Sequence, residues 1–316
     1  MNPFAHRSEL PYELPPFEAI RDEHYLPAFY EACEEQLNEV TAILESGAPT
    51  FENTIVALEK SGRMLYRVLS VFYNKSSADT NDTIDAIEEE LAPKLSAHSD
   101  AINLNAELFE RIRHIHDVRH ELNLDSESIW LIERYYRDFV HAGAQLGVNE
   151  REELKALNEK LSKLSTKFSQ NVLNDTNDLA IIVDDVSDLD GLEPGQIDAA
   201  AAAAEARGLS GKWLIAMVNF TGNPVLSSLT NRALREKIMK ASLSKGGRAN
   251  DNDNRALILE IVKLRAERAA LLGFKSHAEY VLSQQTAGHP DRVHEMLRKI
   301  APAAVANARA EGEAIQ

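Results

Sequence analysis

The chain has 316 residues, 44% of them hydrophobic, enough to bury a substantial core as one large helical domain or as two smaller ones. Its 34 basic and 50 acidic residues leave a formal charge of −16; such a surface repels phosphate backbones and anionic lipid, which disfavours nucleic-acid and membrane-surface partners. Cys33 is the single cysteine, which excludes an internal disulfide and a thiolate metal cluster and fits a reducing compartment.

The first residues, MNPFAHRSELPYELPPF, contain no basic segment followed by an apolar run. Nowhere do about 18 apolar residues follow one another, so a cytoplasmic protein is expected. Residues 1–18, with Pro11, Pro15 and Pro16, predict an extended arm that wraps onto the body. The helix that follows places Leu26, Phe29, Tyr30, Cys33, Leu37, Val40 and Leu44 on one apolar face, which makes Cys33 a core residue rather than a reactive thiol. His24, in DEHY, reads as a packed or capping residue rather than a catalytic base.

GAPT at 47–50 breaks the chain, and Thr50 is placed to cap the next helix. In that helix Ile55, Leu58, Gly62, Leu65, Leu69 and Phe72 form a coiled-coil-like seam, in which Gly62 would let a neighbouring helix approach closely. Helical patterns recur at 82–98, 104–117 and 126–142. Over 150–173 they place Leu154, Leu157, Leu161, Leu164, Phe168 and Val172 on one stripe. Long antiparallel helices are the natural packing solution.

LAIIV at 179–183 and KWLIAMVNF at 212–220 read as two strands of a small sheet, separated by the alanine-rich helix GQIDAAAAAAEARG that stops at Gly208. SKGGRANDNDN at 244–254 is a loop, followed by helices over 255–272 and 276–284. A last pattern, Val293, Met296, Leu297, Ile300, Ala304, Val305 and Ala308, runs to Gln316 with only Pro302 interrupting. No capping signal closes it, so the chain is expected to be cut inside a larger structure. The expected organisation is an arm at 1–18, a helical domain at 19–175, a small α/β insertion at 176–245 and further helices at 246–316.

Two stretches approach metal-site grammar and fail it. His294 and Glu295 begin an H-E-x-x-H pattern, but its fifth position is Arg298, a cation that cannot be the second ligand. In HIHDVRHE, His116 and His120 are four apart beside Asp117 and Glu121. His120–Glu121 meets Leu124 at the fifth position, and a third ligand is missing, so a solvated helix end is expected. A G-x-S-x-G nucleophile elbow is absent, and SKGGRAND lacks the order of a phosphate loop.

Four long stretches occur in the order of one known family. They are LPPFEAIRDEHYLPAFYEACEEQ at 14–36, PTFENTIVALEKSG at 49–62, GLSGKWLIAMVNFTGNPVLSSLTNRALREKI at 208–238 and NRALILEIVKLRAERAALLGFKSHAEYVL at 254–282. In them the chain resembles the M3 zinc metallopeptidases, in the branch of peptidyl-dipeptidase Dcp and oligopeptidase A. The resemblance implies a mainly α fold, similar to the N-terminal half of neurolysin and thimet oligopeptidase, with a small β element near 179–220. It implies walls of a deep channel that admits short peptides, with the C-terminal catalytic portion of the same enzyme as partner. The family's zinc site lies in that other portion, so no catalytic, cofactor-binding or metal-ligating residue is expected here, and the chain alone is expected to be inactive. A stand-alone helical scaffold that binds peptides or a protein without cleaving them is the alternative.

Overall fold

The protein is described by a computed structural model for residues 2–218 and 224–316. In chain order its helices and strands are α1 (Tyr25–Glu45), a π-helical turn (Phe51–Val56), α2 (Ala57–Lys60), α3 (Arg63–Ala78), α4 (Asp82–Asn103), α5 (Ala106–Val118), α6 (Ser126–Ala142), α7 (Val148–Asp178), β1 (Ile181–Val183), α8 (Pro194–Glu205), β2 (Trp213–Ile215), α9 (Val225–Ser228), α10 (Arg232–Ser244), α11 (Arg255–Leu271), α12 (His277–Leu282) and α13 (Pro290–Ile315). The fold is mainly α with one two-stranded sheet, as expected. Residues 219 and 220, the end of the second expected strand, lie outside the described residues. The chain divides into two compact units, residues 1–162 with 262–316, and residues 163–261.

In the first unit, short polar side chains start the helices. Asn81 Oδ1 accepts from the amides of Thr83 and Ile84, Asn105 Oδ1 from Leu108, and Asp125 Oδ1 from Ser128, which satisfies amides that the first turn leaves without partners. Against α3 and α4, α1 buries Tyr25, Ala28, Phe29 and Ala32. Tyr30 and Leu37 of the expected apolar face are exposed instead. Ala28 and Ala32 have no side chain beyond Cβ and let the neighbouring helices come close, so the buried face turns toward them. Cys33 is half-buried at the edge of this cluster.

The seam expected over 55–72 is not one helix. Gly62 adopts φ 69°, a left-handed conformation that separates α2 from α3. What approaches Gly62 closely is the side chain of Gln36, 2.4 Å from where a Cβ would stand. Gln36 also accepts from His98 Nε2 at 2.7 Å, and so ties α1 to α4.

Thr50 does cap the following turn, as expected. Its hydroxyl accepts from Asn53 N at 3.1 Å, and Asn53 Oδ1 accepts from Thr50 N at 2.8 Å. The buried Arg111 of α5 locks this turn, donating to Gly47 O at 2.7 Å, Ser46 Oγ at 2.9 Å and Thr54 Oγ1 at 3.1 Å. A second apolar cluster, built on Ile55, Leu108, Ile112, Ile115, Ile132 and Phe139, joins α5 to α6.

In the second unit, β1 and β2 pair antiparallel with Ile182 opposite Leu214. Ile181 and Val183 face the core while Ile182 is exposed, the alternation of a strand with one covered face. α8 packs on β2 through a surface of alanines, with Ala200 and Ala204 buried. It ends in a left-handed Gly208, with Leu209 N donating to Ala204 O at 3.0 Å.

The buried face of α7 in this unit is polar rather than leucine-rich: Gln170, Asn171 and Asp175 are buried. Asp175 is 0% exposed and accepts from Gly246 N at 2.7 Å, Asn250 Nδ2 at 3.1 Å and Arg248 Nε at 2.9 Å. One carboxylate thereby folds the whole 245–254 loop onto α7. Asn254 completes the clamp by donating to Phe168 O and accepting from Asn171.

Candidate functional site

The histidines singled out in the sequence are scattered. His24 Nδ1 accepts from Arg21 N at 2.9 Å and so caps the 3-10 turn Asp22–His24 that precedes α1. His116 lies near the end of α5 and stacks on Tyr136, ring centroids 3.9 Å apart. His120 lies beyond it in a 3-10 turn at Arg119–Glu121, so the two do not share the continuous α-helix that an i, i+4 metal pair requires. His294, Glu295 and Arg298 are exposed on α13, where Glu295 accepts from Lys299 at 2.8 Å. Among the described residues no three His, Cys, Asp or Glu side chains converge on a point that could hold a metal ion. These donors do not fit a catalytic zinc, which takes three protein ligands and an open position.

A connected set of polar and aromatic side chains lies elsewhere in the first unit, drawn from α4, α6, α7, α11 and α12. Asp100 is buried and accepts from Asn158 Nδ2 at 2.9 Å. Asn158 Oδ1 in turn accepts from Arg268 at 3.4 Å, and the Arg268 guanidinium stands 5.2 Å over the ring of Tyr280. Tyr280 stacks on His141 at 4.0 Å, and its carbonyl accepts from His141 Nε2 at 2.9 Å, which fixes the tautomer of that ring.

Burial pushes Asp100 up to about 6 against the pull of Asn158, Lys155 and Arg268. Burial and the neighbouring Arg265 and Arg268 push His277 down, and burial raises Tyr280. Beside this relay is a cavity of about 340 Å³ lined by Arg137, Val140, His141, Leu146, Leu272 and Phe274. The shifted groups Asp100, His277 and Tyr280 are not in its lining, which the relay reaches through His141. The lining mixes aliphatic and aromatic side chains with Arg137, Gln145, Ser283 and Gln284.

Sequence periodicity missed every member of the relay. Arg268, Tyr280 and His277 lie inside stretches quoted for the family resemblance, but nothing in their spacing pairs them with Asp100 or Asn158. The contacts join residues 58 and 110 positions apart.

One surface stands out by its lack of cover. No residue of α13 is buried, and Met296, Leu297, Ile300 and Val305 are all about half exposed. Met296, Leu297 and Ile300 share one face of the helix, and Val305 lies half a turn round from Met296. Pro302 does not break α13, although it removes one amide from the helical ladder. Among the described residues, no helix is long and apolar enough to cross a membrane.

Residues 225–316 match Peptidase family M3. The chain is similar to the dipeptidyl carboxypeptidase of Escherichia coli, 39% identical over 100% of this chain and 46% of the relative. It is similar to the dipeptidyl carboxypeptidase of Salmonella typhimurium, 38% identical over 98% of this chain and 46% of the relative. It is also similar to oligopeptidase A of Escherichia coli, 30% identical over 96% of this chain and 45% of the relative. The chain therefore belongs to peptidase family M3, and it spans somewhat under half the length of the curated relatives it matches.

Proposed function

We propose that this chain is the N-terminal, channel-forming portion of a zinc-dependent M3 oligopeptidase that hydrolyses short peptides in the cytoplasm, with the specificity of a peptidyl-dipeptidase. Bond cleavage belongs to an H-E-x-x-H zinc site in the C-terminal portion, and residues 1–316 by themselves do not hydrolyse peptides. Helices on both sides of a cleft would admit an unfolded peptide and exclude a folded protein. The acidic surface would disfavour strongly anionic substrates at long range. The observation that carries the reading is the match of this chain from end to end to under half of dipeptidyl carboxypeptidases, whose name states the activity.

The uncovered face of α13 supports the same reading. Met296, Leu297, Ile300 and Val305 left half exposed on a helix without buried residues are what a docking surface for the remaining portion of the enzyme would present. The test is reconstitution. The chain is mixed with a separately produced C-terminal portion of an M3 dipeptidyl carboxypeptidase, and peptide hydrolysis is followed. The expected outcome is activity that neither part has alone and that Leu297→Glu with Val305→Glu abolishes. Unchanged activity of the double variant would remove α13 from the interface, and hydrolysis by the chain alone would overturn the division of labour.

A further inference from the structure

A cleft of about 620 Å³ runs between the N-terminal arm and the first turns of α3. It is lined by arginines in a chain whose formal charge is −16: Arg7 from the arm, and Arg63 and Arg67 from α3. Two carboxylates also line it, and one of them is paired with a cation of the cleft. Glu13 pairs with Arg7, and Glu59 accepts from the Tyr135 hydroxyl at 2.6 Å.

The two α3 guanidiniums have no carboxylate of their own. Arg67 donates from Nη2 to Phe4 O at 3.3 Å, which holds the arm in place, while its buried Nε has no partner. Arg63 is exposed and, among the described residues, makes no hydrogen bond or ion pair. Being four apart, these two cations share one face of the helix and repel each other with nothing between them. Two tyrosines flank the cleft with almost nothing covering them, Tyr12 at 97% exposure and Tyr66 at 76%.

Unneutralised guanidiniums beside uncovered aromatic rings recognise a carboxylate and a flat or apolar neighbour together. The volume suits a few residues of extended chain, and Pro15 and Pro16 give the cleft a stiff wall. Phosphate is the competing anion, but the feature that favours it is missing. Gly62 N, at the start of α3, already donates to Glu39 at 2.7 Å, so this amide is not free for a phosphate oxygen. We propose that this cleft binds a short extended peptide segment with acidic side chains, its carboxylates held by Arg63 and Arg67 and their neighbours laid on Tyr12 and Tyr66. The assignment goes beyond the peptidase reading and holds for the isolated chain whether or not that reading does.

The experiment is fluorescence anisotropy of the chain with a fluorescein-labelled hexapeptide in which two glutamates flank a tyrosine, against the same peptide carrying glutamines. The glutamate peptide is expected to bind and the glutamine peptide to bind about tenfold more weakly. Arg63→Gln and Tyr66→Ala, both at exposed positions, are each expected to weaken the glutamate peptide about tenfold while the urea midpoint stays in place. Should either variant unfold, the other carries the comparison. Equal affinity for the two peptides, or undiminished binding in folded Arg63→Gln, would overturn the proposal. Tighter binding of inorganic tripolyphosphate than of the glutamate peptide would overturn the assignment to peptide.

Discussion

Replacing Asp100 by Asn should stabilise the protein at neutral pH and leave it unchanged in acid. Asp100 is 9% exposed, and burial raises its carboxyl from an ordinary 3.8 to about 6. The folded state therefore holds a proton that the unfolded chain releases between those two values. The group costs nothing below pH 3.8, its penalty grows as pH rises, and it is complete above about pH 6. The interval from 3.8 to about 6, at about 1.4 kcal/mol per pH unit, amounts to about 3 kcal/mol. Asn keeps an oxygen to accept from Asn158 Nδ2 and removes the buried charge. Urea unfolding of both proteins at pH 4.0 and 7.5 measures the difference. The expected result is a gain of about 2–3 kcal/mol at the higher pH and close to none at the lower. A loss at pH 7.5 would show that the carboxylate is stabilised by Arg268 and Lys155 more than it is penalised by burial.

Asp175→Ala should destabilise the second unit by about 3–5 kcal/mol, because Arg248 and the amides of Gly246 and Asn250 lose their common acceptor. Amide exchange should speed up across 245–254, and unchanged protection there would contradict the clamp. Gly62→Ala should cost about 2 kcal/mol in chemical denaturation, from the left-handed backbone and the displaced Gln36. If it were neutral, the break between α2 and α3 would not depend on glycine. Burial pushes the Cys33 thiol up to about 11, so at pH 7 it should resist a disulfide reagent until urea unfolds the chain. Rapid labelling of the native protein would refute its place at the edge of the core.

The helices were legible where apolar spacing and capping residues agreed. The span 126–142 emerges with Asp125 at one end and a left-handed Gly143 at the other, and the polyalanine helix stops before Gly208 as its sequence announces. The break at Gly62 was not legible, because a three-and-four spacing continues through it while a backbone conformation decides the matter. Nor was the burial of Ala28 and Ala32 in place of Tyr30 and Leu37, since periodicity weighs size and helix packing also rewards its absence. The buried polar residues were invisible altogether. Asp100, Arg111 and Asp175 are held by partners 57 to 75 positions away, and polar residues on a helix look alike in sequence whether they meet water or one another. The failure of H-E-x-x-H at Arg298 could be read directly, since one position decides it.

The central claim is that these residues shape a peptide's path and do not cleave it. The most direct measurement is the zinc content of the purified chain after equilibration with the metal and desalting, together with hydrolysis of short peptides with and without chelator. The account predicts far less than one zinc per chain and no chelator-sensitive cleavage. One tightly held zinc per chain, with turnover that the chelator abolishes, would contradict it.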